Sequence, residues 1–391
     1  MFFLGIDIGK NNHVASLLDH DGKIVFKAFS FSNTTDGAES LIDKLNLFVT
    51  DVSSIEIGME ATGHYWLALY SFLIEKEFVI HVVNPIQTDG WRKGIEIRKR
   101  KTDIIDSVLI ADFIRYRDFV ETHLSDENIL SLRNLCRFRN YLVDSIGDLK
   151  RKIICVLDQV FPEYESVFSN IFGKTSKEIL LQFSSPSELE KLSVDTLAEL
   201  LASLSRNKIS HEKAEILSDK AAHSFGVTFC QESFVFQLKM LITQMQFIEQ
   251  QVKDTENEIK SYMKKINSPI TSIPGIGLTT GATIISEIGD ISKFDNPSKL
   301  VAYAGIDASV AQSGEYESTN NRMSKRGSPY LRKALFQAAL VASNTNPELI
   351  AFYQKKRKEG KHHLTCLGAV SRKLCYIIYA ILKENRPYQP R

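Results

Sequence analysis

Met1-Phe2-Phe3-Leu4-Gly5-Ile6-Asp7-Ile8-Gly9-Lys10 opens the chain, and the reading of this stretch decides the fold. Phe2, Phe3, Leu4, Ile6 and Ile8 make an apolar run that reads as a short strand buried on both faces and ended by Gly9. A single carboxylate, Asp7, stands inside it. An ionised carboxylate on such a strand is costly unless it is paired or binds a cation. Asp7 therefore requires a partner elsewhere in the chain. From this stretch alone three readings stand level: a metal-binding Asp, the phosphate-contacting Asp-x-Gly turn of an ATPase, and a strand-end Asp that bonds its own turn.

The chain of 391 residues is long enough for two or three domains, and 43% hydrophobic with 24% charged residues is an ordinary globular balance. No apolar run reaches the length of a membrane span, and no signal peptide opens the chain, so a protein without membrane association is expected. Cys136, Cys155, Cys230, Cys366 and Cys375 form no CxxC pair, which points to reduced thiols in a cytoplasm and away from structural zinc. The net charge of +1 conceals basic clusters at 92–101, 322–333 and 355–361. Such clusters mark polyanion-binding surfaces, or solvated loops where they stand alone.

Residues 2–9, 13–19 and 24–31 read as three successive strands. A helix capped by Asp36 follows over 37–50, then a strand over 55–61 that ends on a second isolated carboxylate, Glu60. A helix from about His64 and a strand over 79–83, closed by Asn84-Pro85, complete the series. Three strands, helix, strand, helix, strand is the order of an RNase H-like fold with a mixed sheet. A basic loop over 91–101 then leads into a helix from Asp103. Asp103 and Asp106, three apart, share one face of it.

From about 126 the character becomes helical. Leu142, Ile146, Leu149, Ile153, Val156 and Val160 form a heptad seam. Leu238, Leu241, Met245, Ile248, Val252, Thr255, Ile259, Tyr262 and Ile266 form another. An antiparallel hairpin, a dimer interface, or both would satisfy them. The stretch between, 163–230, is polar and helical and carries no chemical motif. Ile273-Pro274-Gly275-Ile276-Gly277 has the form of a helix-hairpin-helix, whose glycines let backbone amides approach a phosphate, or of a plain turn between helices. A Gln312-Ser313-Gly314 loop precedes the basic run 324–333. Helices over 330–343 and 364–382 follow. The expected division is 1–125, 126–266 and 267–391, an α/β domain followed by helical ones.

Asp7, Glu60, Asp103 and Asp106 are thus carried on two strand ends and one helix face. Four converging carboxylates demand divalent metal, and oxygen-only ligation suits Mg²⁺ or Mn²⁺. Two such ions on the order of 4 Å apart clamp the attacking and leaving oxygens of a phosphodiester.

Taken together, Gly5-Ile6-Asp7-Ile8-Gly9-Lys10, Glu60-Ala61-Thr62-Gly63, Val83-Asn84-Pro85, Lys101-Thr102-Asp103 with Asp106, the 273–277 turn, Tyr303-Ala304-Gly305, Gln312-Ser313-Gly314, and Lys325-Arg326-Gly327 with Leu331-Arg332 span nearly the whole chain apart from its middle. In this order they resemble the DEDD-type transposases of bacterial insertion sequences (insertion-sequence family one-ten) and their relative, the Piv DNA invertase. The resemblance implies a RuvC-like N-terminal domain, a coiled-coil dimerisation region and a C-terminal transposase domain whose serine attacks DNA. It implies donor and target DNA as substrates, selected by a non-coding bridge RNA, and a homo-dimer or homo-tetramer acting at the bacterial nucleoid.

Carried over residue by residue, Asp7, Glu60, Asp103 and Asp106 hold the metal and Ser313 is the nucleophile. The residues alone leave Ser313 open to being a turn serine, with Ser309, Ser318, Ser324 and Ser328 in the same region. Ser107 departs from the small Ala usual after the last Asp. The expected nucleic-acid contacts are Arg98, Lys99, Arg100, Lys101, Gly275, Gly277, Lys325, Arg326 and Arg332. A Holliday-junction resolvase-like nuclease shares the carboxylates but has no use for a serine domain. An actin-like ATPase or sugar kinase needs further Asp- and Gly-rich loops, which do not follow Glu60. A non-catalytic DNA-binding protein explains the basic clusters and leaves the stacked Asp103 and Asp106 unexplained.

Overall fold

The structure, a computed structural model, describes residues 1–61, 63–95, 102–116, 126–205, 211–308, 312–313, 316–317 and 322–390. The chain divides into two units, Met1–Leu124 and Ser125–Arg391.

The first unit runs β1 (Phe2–Asp7), β2 (Asn12–Asp19), β3 (Ile24–Ser32), α1 (Thr35–Asn46), β4 (Ile55–Glu60), α2 (Trp66–Glu75), β5 (Val79–Val83), α3 (Pro85–Ile95) and α4 (Asp103–Arg115). The sheet order is β3-β2-β1-β4-β5, and β1 is its middle strand. It pairs antiparallel with β2 and parallel with β4. Both faces of β1 are covered, which is why its sequence is almost wholly apolar. Leu4 and Ile6 pack with Leu41 and Leu45 of α1 and Leu69 and Leu73 of α2. Phe3 on the other face joins Ala111, Phe113 and Ile114 of α4.

Two boundaries differ from the sequence expectation. The cap of α1 is Thr34, whose hydroxyl accepts from the Gly37 N–H, while Asp36 lies within the first turn. The basic segment expected as a loop over 91–101 is helical as far as Ile95, because α3 continues without a break from Pro85. Arg98, Lys99, Arg100 and Lys101 lie outside the described residues.

The second unit is helical apart from a small hairpin. α5 (Glu127–Val160) leads to α6 (Tyr164–Val167), α7 (Lys174–Gln182), α8 (Pro186–Leu189), α9 (Val194–Ser205), α10 (His211–Ala222) and α11 (Gln231–Ile266). α5 and α11 pack along each other. Cys136 shares a core with Ile259 and Met263, and Val156 shares another with Leu238 and Met245, so the two helices run antiparallel. Both heptad seams therefore face each other within one chain, with Leu142, Ile153, Val156 and Val160 of one and Leu238, Met245, Thr255 and Ile259 of the other buried. The polar insert closes over the far end of this pair, with fully buried Tyr164 donating its hydroxyl to the Ser176 carbonyl (3.1 Å). A different apolar ridge remains outside: Phe236, Met240 and Phe247 of α11 are exposed at 64%, 50% and 64%.

The remainder comprises α12 (Leu278–Ile288), α13 (Pro297–Ala304), β6 (Gln312–Ser313), β7 (Tyr316–Glu317), α14 (Pro329–Thr345), α15 (Pro347–Lys358) and α16 (His363–Glu384). α13 and α15 were not legible as helices, and the basic residues at 355–358 are the last turn of α15. Contrary to the sequence expectation, α16 is long and apolar enough by composition to cross a membrane. Its Val370, Leu374, Cys375 and Ile378 are instead part of the core of this unit.

His13 on β2 is a buried titratable side chain, 1% exposed, its ring tilted against that of Phe31. Its Nδ1 accepts from the Gly9 N–H (3.3 Å), and Nε2 has no hydrogen-bond partner. Burial pushes its pKa below the ordinary value, with the Asn33 side chain acting in the opposite sense. The unfolded chain then binds a proton that the folded chain refuses, so stability is full above about pH 6.5 and falls as the pH drops toward the lowered folded value. Urea midpoints measured across that window should fall in the parent and stay flatter in His13→Gln.

Candidate active site

Gly5 of β1 and Gly58 of β4 face each other across the parallel pair. A Cβ on Gly5 would stand 2.0 Å from the Ser107 carbonyl oxygen, and one on Gly58 would press on Ile114 and Ile110 at 2.9 and 3.0 Å. The paired glycines make a groove free of side chains, and α4 lies in it, backbone against backbone at Gly5 and through the Ile110 and Ile114 side chains at Gly58. Ser107 pins this seat from the helix side: its hydroxyl meets Ser16 Oγ at 2.8 Å, and Ser16 also accepts from the Ala28 N–H. The serine that departs from the family's usual Ala thus has a structural partner.

The direction of α4 sets the site. Its C-terminal Arg115 lies at Gly22, in the turn beside the start of β1. Its first turn is therefore directed toward the other end of the sheet, where β1 ends at Asp7 and β4 at Glu60. Ile6 pairs with Met59, so the next step of the register sets Asp7 beside Glu60. Strand alternation puts both on the α4 side, two residues beyond the glycines.

α3 gathers this end. Thr88 and Arg92, four residues apart, share a helical face. The Thr88 hydroxyl donates to Glu60 Oε1, and Arg92 Nη2 donates to Asp106 Oδ1 at 2.9 Å. Asp106 and Arg92 are 8% and 16% exposed, so this is a buried ion pair. Asp103, in the same first turn of α4, is exposed. An exposed acid in a first helical turn is favoured by the helix dipole whatever its chemistry, whereas a buried one requires a counter-charge.

The four carboxylates are not drawn into one ligand shell. Among the described residues the group whose ligand atoms lie within 4.8 Å of one another is Asp19, His20 and Asp21, in the exposed turn at the opposite end of the sheet. There Asp19 Oδ1 already accepts from the Asp21 and Lys23 N–H groups, as a turn Asp does. Thr88 and Arg92, which sequence reasoning left among helix and loop residues, hold Glu60 and Asp106 instead.

In the second unit, Ser313 lies in β6, which pairs antiparallel with β7. The segment that carries it has a built neck. Ala308 bridges Met323, the Ser324 N–H donates to the Asp307 carbonyl (3.0 Å) and the Lys325 N–H to the Gly305 carbonyl (3.1 Å). The Ser324 hydroxyl donates to Asp307. Arg332 Nη1 donates to the Ala304 and Lys325 carbonyls, both at 3.3 Å, so a residue expected on nucleic acid ties the neck. Lys325 and Arg326 are exposed.

Behind the neck, buried Glu287 receives Arg137 through Nε (2.7 Å) and Nη2 (3.0 Å), and the Ser328 hydroxyl at 2.7 Å. Spacing alone could not have shown this cluster. Gly275, at φ +100, is accounted for by packing: a Cβ there would strike Ala342 at 2.6 Å. Gly277 caps α12 with open space around it.

Residues 4–162 match the family model of the DEDD transposases of IS110 type, and residues 267–354 match the model described as transposase of the IS116/IS110/IS902 family. The chain belongs to this family of insertion-sequence transposases. It is 25% identical to the 44.8 kDa protein of insertion element IS116 from Streptomyces clavuligerus, over 99% of this chain and 96% of the relative. It is 24% identical to the pilin gene-inverting protein of Moraxella bovis, over 100% and 98%. The 43.6 kDa protein of insertion element IS110 from Streptomyces coelicolor is 23% identical over 100% and 96%.

The seat of α4 is directly testable. Gly5→Ala should destabilise the protein by roughly 3 kcal/mol in denaturant unfolding, because neither contacting group is a side chain that can swing away. A cost below about 1 kcal/mol would show that strand and helix are not in backbone contact.

Proposed function

We propose that this chain is the DNA recombinase of an insertion sequence, cutting and rejoining donor and target DNA through a covalent serine–DNA intermediate. The observation that supports it best is the register that sets Asp7 beside Glu60 at the sheet end toward which the first turn of α4 is directed, in a chain that also carries the family's serine segment. In this reading the first unit is RNase H-like of the RuvC type, α5 and α11 form a central helical part, and residues 267–391 are the transposase domain. The family suggests a divalent ion, and the all-oxygen donor set of Asp7, Glu60, Asp103 and Asp106 suits Mg²⁺ or Mn²⁺. Buried Asp106, already neutralised by a guanidinium, fits a position that requires positive charge. The ion would stabilise charge developing at the phosphorus and on the oxygens around it.

The chain's own step is a transesterification. Ser313 Oγ bonds to phosphorus as the bond to the leaving deoxyribose oxygen breaks, and the hydroxyl proton ends on that oxygen. Attack by another strand's hydroxyl reverses the step, so the phosphodiester's energy is kept and no nucleotide triphosphate is consumed. Lys325 and Arg326, exposed beside the neck, would hold the flanking phosphate. Arg98, Lys99, Arg100 and Lys101, with Gly277 at the start of α12, would extend the nucleic-acid surface. Site choice by a bridge RNA, and action in the bacterial cytoplasm at the nucleoid, belong to the same proposal. Assembly into a homo-dimer or homo-tetramer would use the Phe236, Met240 and Phe247 ridge, since the seams are spent within the chain.

Reaction on labelled DNA, denaturation and mass spectrometry should find an adduct on Ser313, absent in Ser313→Ala. Strand exchange in Asp7→Ala, Glu60→Ala and Asp106→Ala should fall by at least about 10³-fold with the fold retained. Exchange without any protein–DNA adduct would remove the serine mechanism. In light scattering the parent should exceed monomer mass, and Phe236→Glu with Phe247→Glu should reduce it. A parent that is monomeric with and without nucleic acid would count against assembly.

A further inference from the structure

On the face of the sheet away from α4, the first turn of α1 borders a pocket of about 240 Å³. His13 packs against Phe31 and shares strand alternation with Ala15, both of the core formed with α1 and α2, so its ring lies on that face. Its Nδ1 accepts the Gly9 N–H and is therefore bare, which puts the proton of the neutral ring on Nε2. His13 lines the pocket, and that Nε2–H is buried with no hydrogen-bond partner. Asn33 acts on the ring from the same pocket without closing a hydrogen bond to it. A buried donor left unmade costs on the order of 1–3 kcal/mol. The helix adds donors of its own. The Thr34 hydroxyl takes the Gly37 N–H and the Thr34 carbonyl takes that of Ala38, which leaves the N–H groups of Thr35 and Asp36 outside the helix's own bonding.

We propose that this pocket binds the phosphate of a nucleotide, with the attached sugar or base against α2. A helix N-terminus favours an oxyanion, and the idle His13 donor requires an acceptor in the same place. Ser32 and Thr34 bring two hydroxyls to the lining, 2.7 Å from each other. Among the described residues no carboxylate lines the pocket, and Asp36, the acid of that turn, is exposed outside it. The wall contributed by α2, with Leu69 and Phe72, is apolar, and Lys76 Nζ stands 5.7 Å from the centre of the Phe72 ring. A bare phosphate would leave that wall without a partner in a space several times the volume of a water. A base would cover it, since an aromatic face accepts any base. The polar wall is fixed beforehand. Asn33 donates its N–H to the Asn11 carbonyl (2.8 Å) and its side-chain amide to the Lys10 carbonyl (3.2 Å). The site makes no use of Asp7, Glu60, Asp103 or Asp106.

The test is calorimetry on the full chain in EDTA, so that a metal ion at the carboxylates takes no part. Thymidine monophosphate should bind, and thymidine and inorganic phosphate should each bind at least about tenfold more weakly. Thr35→Pro removes one amide donor at the first helical position, after the extended Thr34, where proline keeps the helix. It should weaken the nucleotide on the order of tenfold while the melting temperature stays near the parent's. His13→Leu removes the buried donor at nearly the same volume and should weaken the nucleotide by a similar factor. If that variant folds poorly, Thr35→Pro decides. An oligonucleotide that binds as tightly as the monophosphate only when it carries a terminal phosphate would support the site and assign it to a strand end. Binding of the mononucleotide without the oligonucleotide would support it and assign it to a free nucleotide. Thymidine or inorganic phosphate binding as tightly as the nucleotide would overturn the proposal. So would unchanged affinity in the folded variants, or no binding of any probe at millimolar concentration, either of which would leave the His13 donor to a trapped water.

Discussion

The first unit depends on a contact between two pieces of backbone. Gly5 and Gly58 stand opposite each other on neighbouring strands, and α4 rests where their side chains would have been. Because the seat at Gly5 is made of main-chain atoms, it fixes the helix in translation as well as direction. Side-chain packing alone would let it slide by a rotamer. The position of Asp106 relative to Glu60 follows from that seat, and so does the reach required of Thr88 and Arg92.

Charge is handled by opposite strategies in the two units. Beneath the serine segment, Glu287 is closed in by a forked guanidinium and a serine hydroxyl, and Tyr303 donates its hydroxyl to the Glu287 carbonyl (3.1 Å). Every strong group there is engaged, which makes a rigid floor. At the end of the sheet, two buried donors, Arg92 Nε–H and Trp91 Nε1–H, are left over.

Period and composition carried much of this architecture. The strand order, the isolated carboxylates Asp7 and Glu60, the stacked pair on α4 and both long seams could be read from spacing alone. What failed to show were interactions set by tertiary approach. Nothing in 85–95 marks Thr88 and Arg92 as site residues, because their meaning depends on which strand end α3 follows. Arg332 sits in a basic run and looks like a phosphate contact, yet its guanidinium faces two carbonyls of its own chain. Gly275 carries the mark of a phosphate-binding turn and spends it on close approach to α14. The seams announced helix pairing without saying whether the partner was the same molecule, since a heptad describes one surface only.

The neck at Gly305 and Gly327 has a bearing on how such proteins can diverge. Gly327, at φ +125, brings its Cα to the Tyr303 carbonyl, where a Cβ would stand at 1.9 Å. The two ends of the enclosed segment are thus fastened to each other and to α13 and α14, independently of the residues enclosed. Changes of length or composition between the ends leave the supporting helices undisturbed, much as a socket accepts different fittings. Natural variation, or a designer swapping one segment for another, can therefore retune what this part of the protein meets without rebuilding the scaffold beneath it.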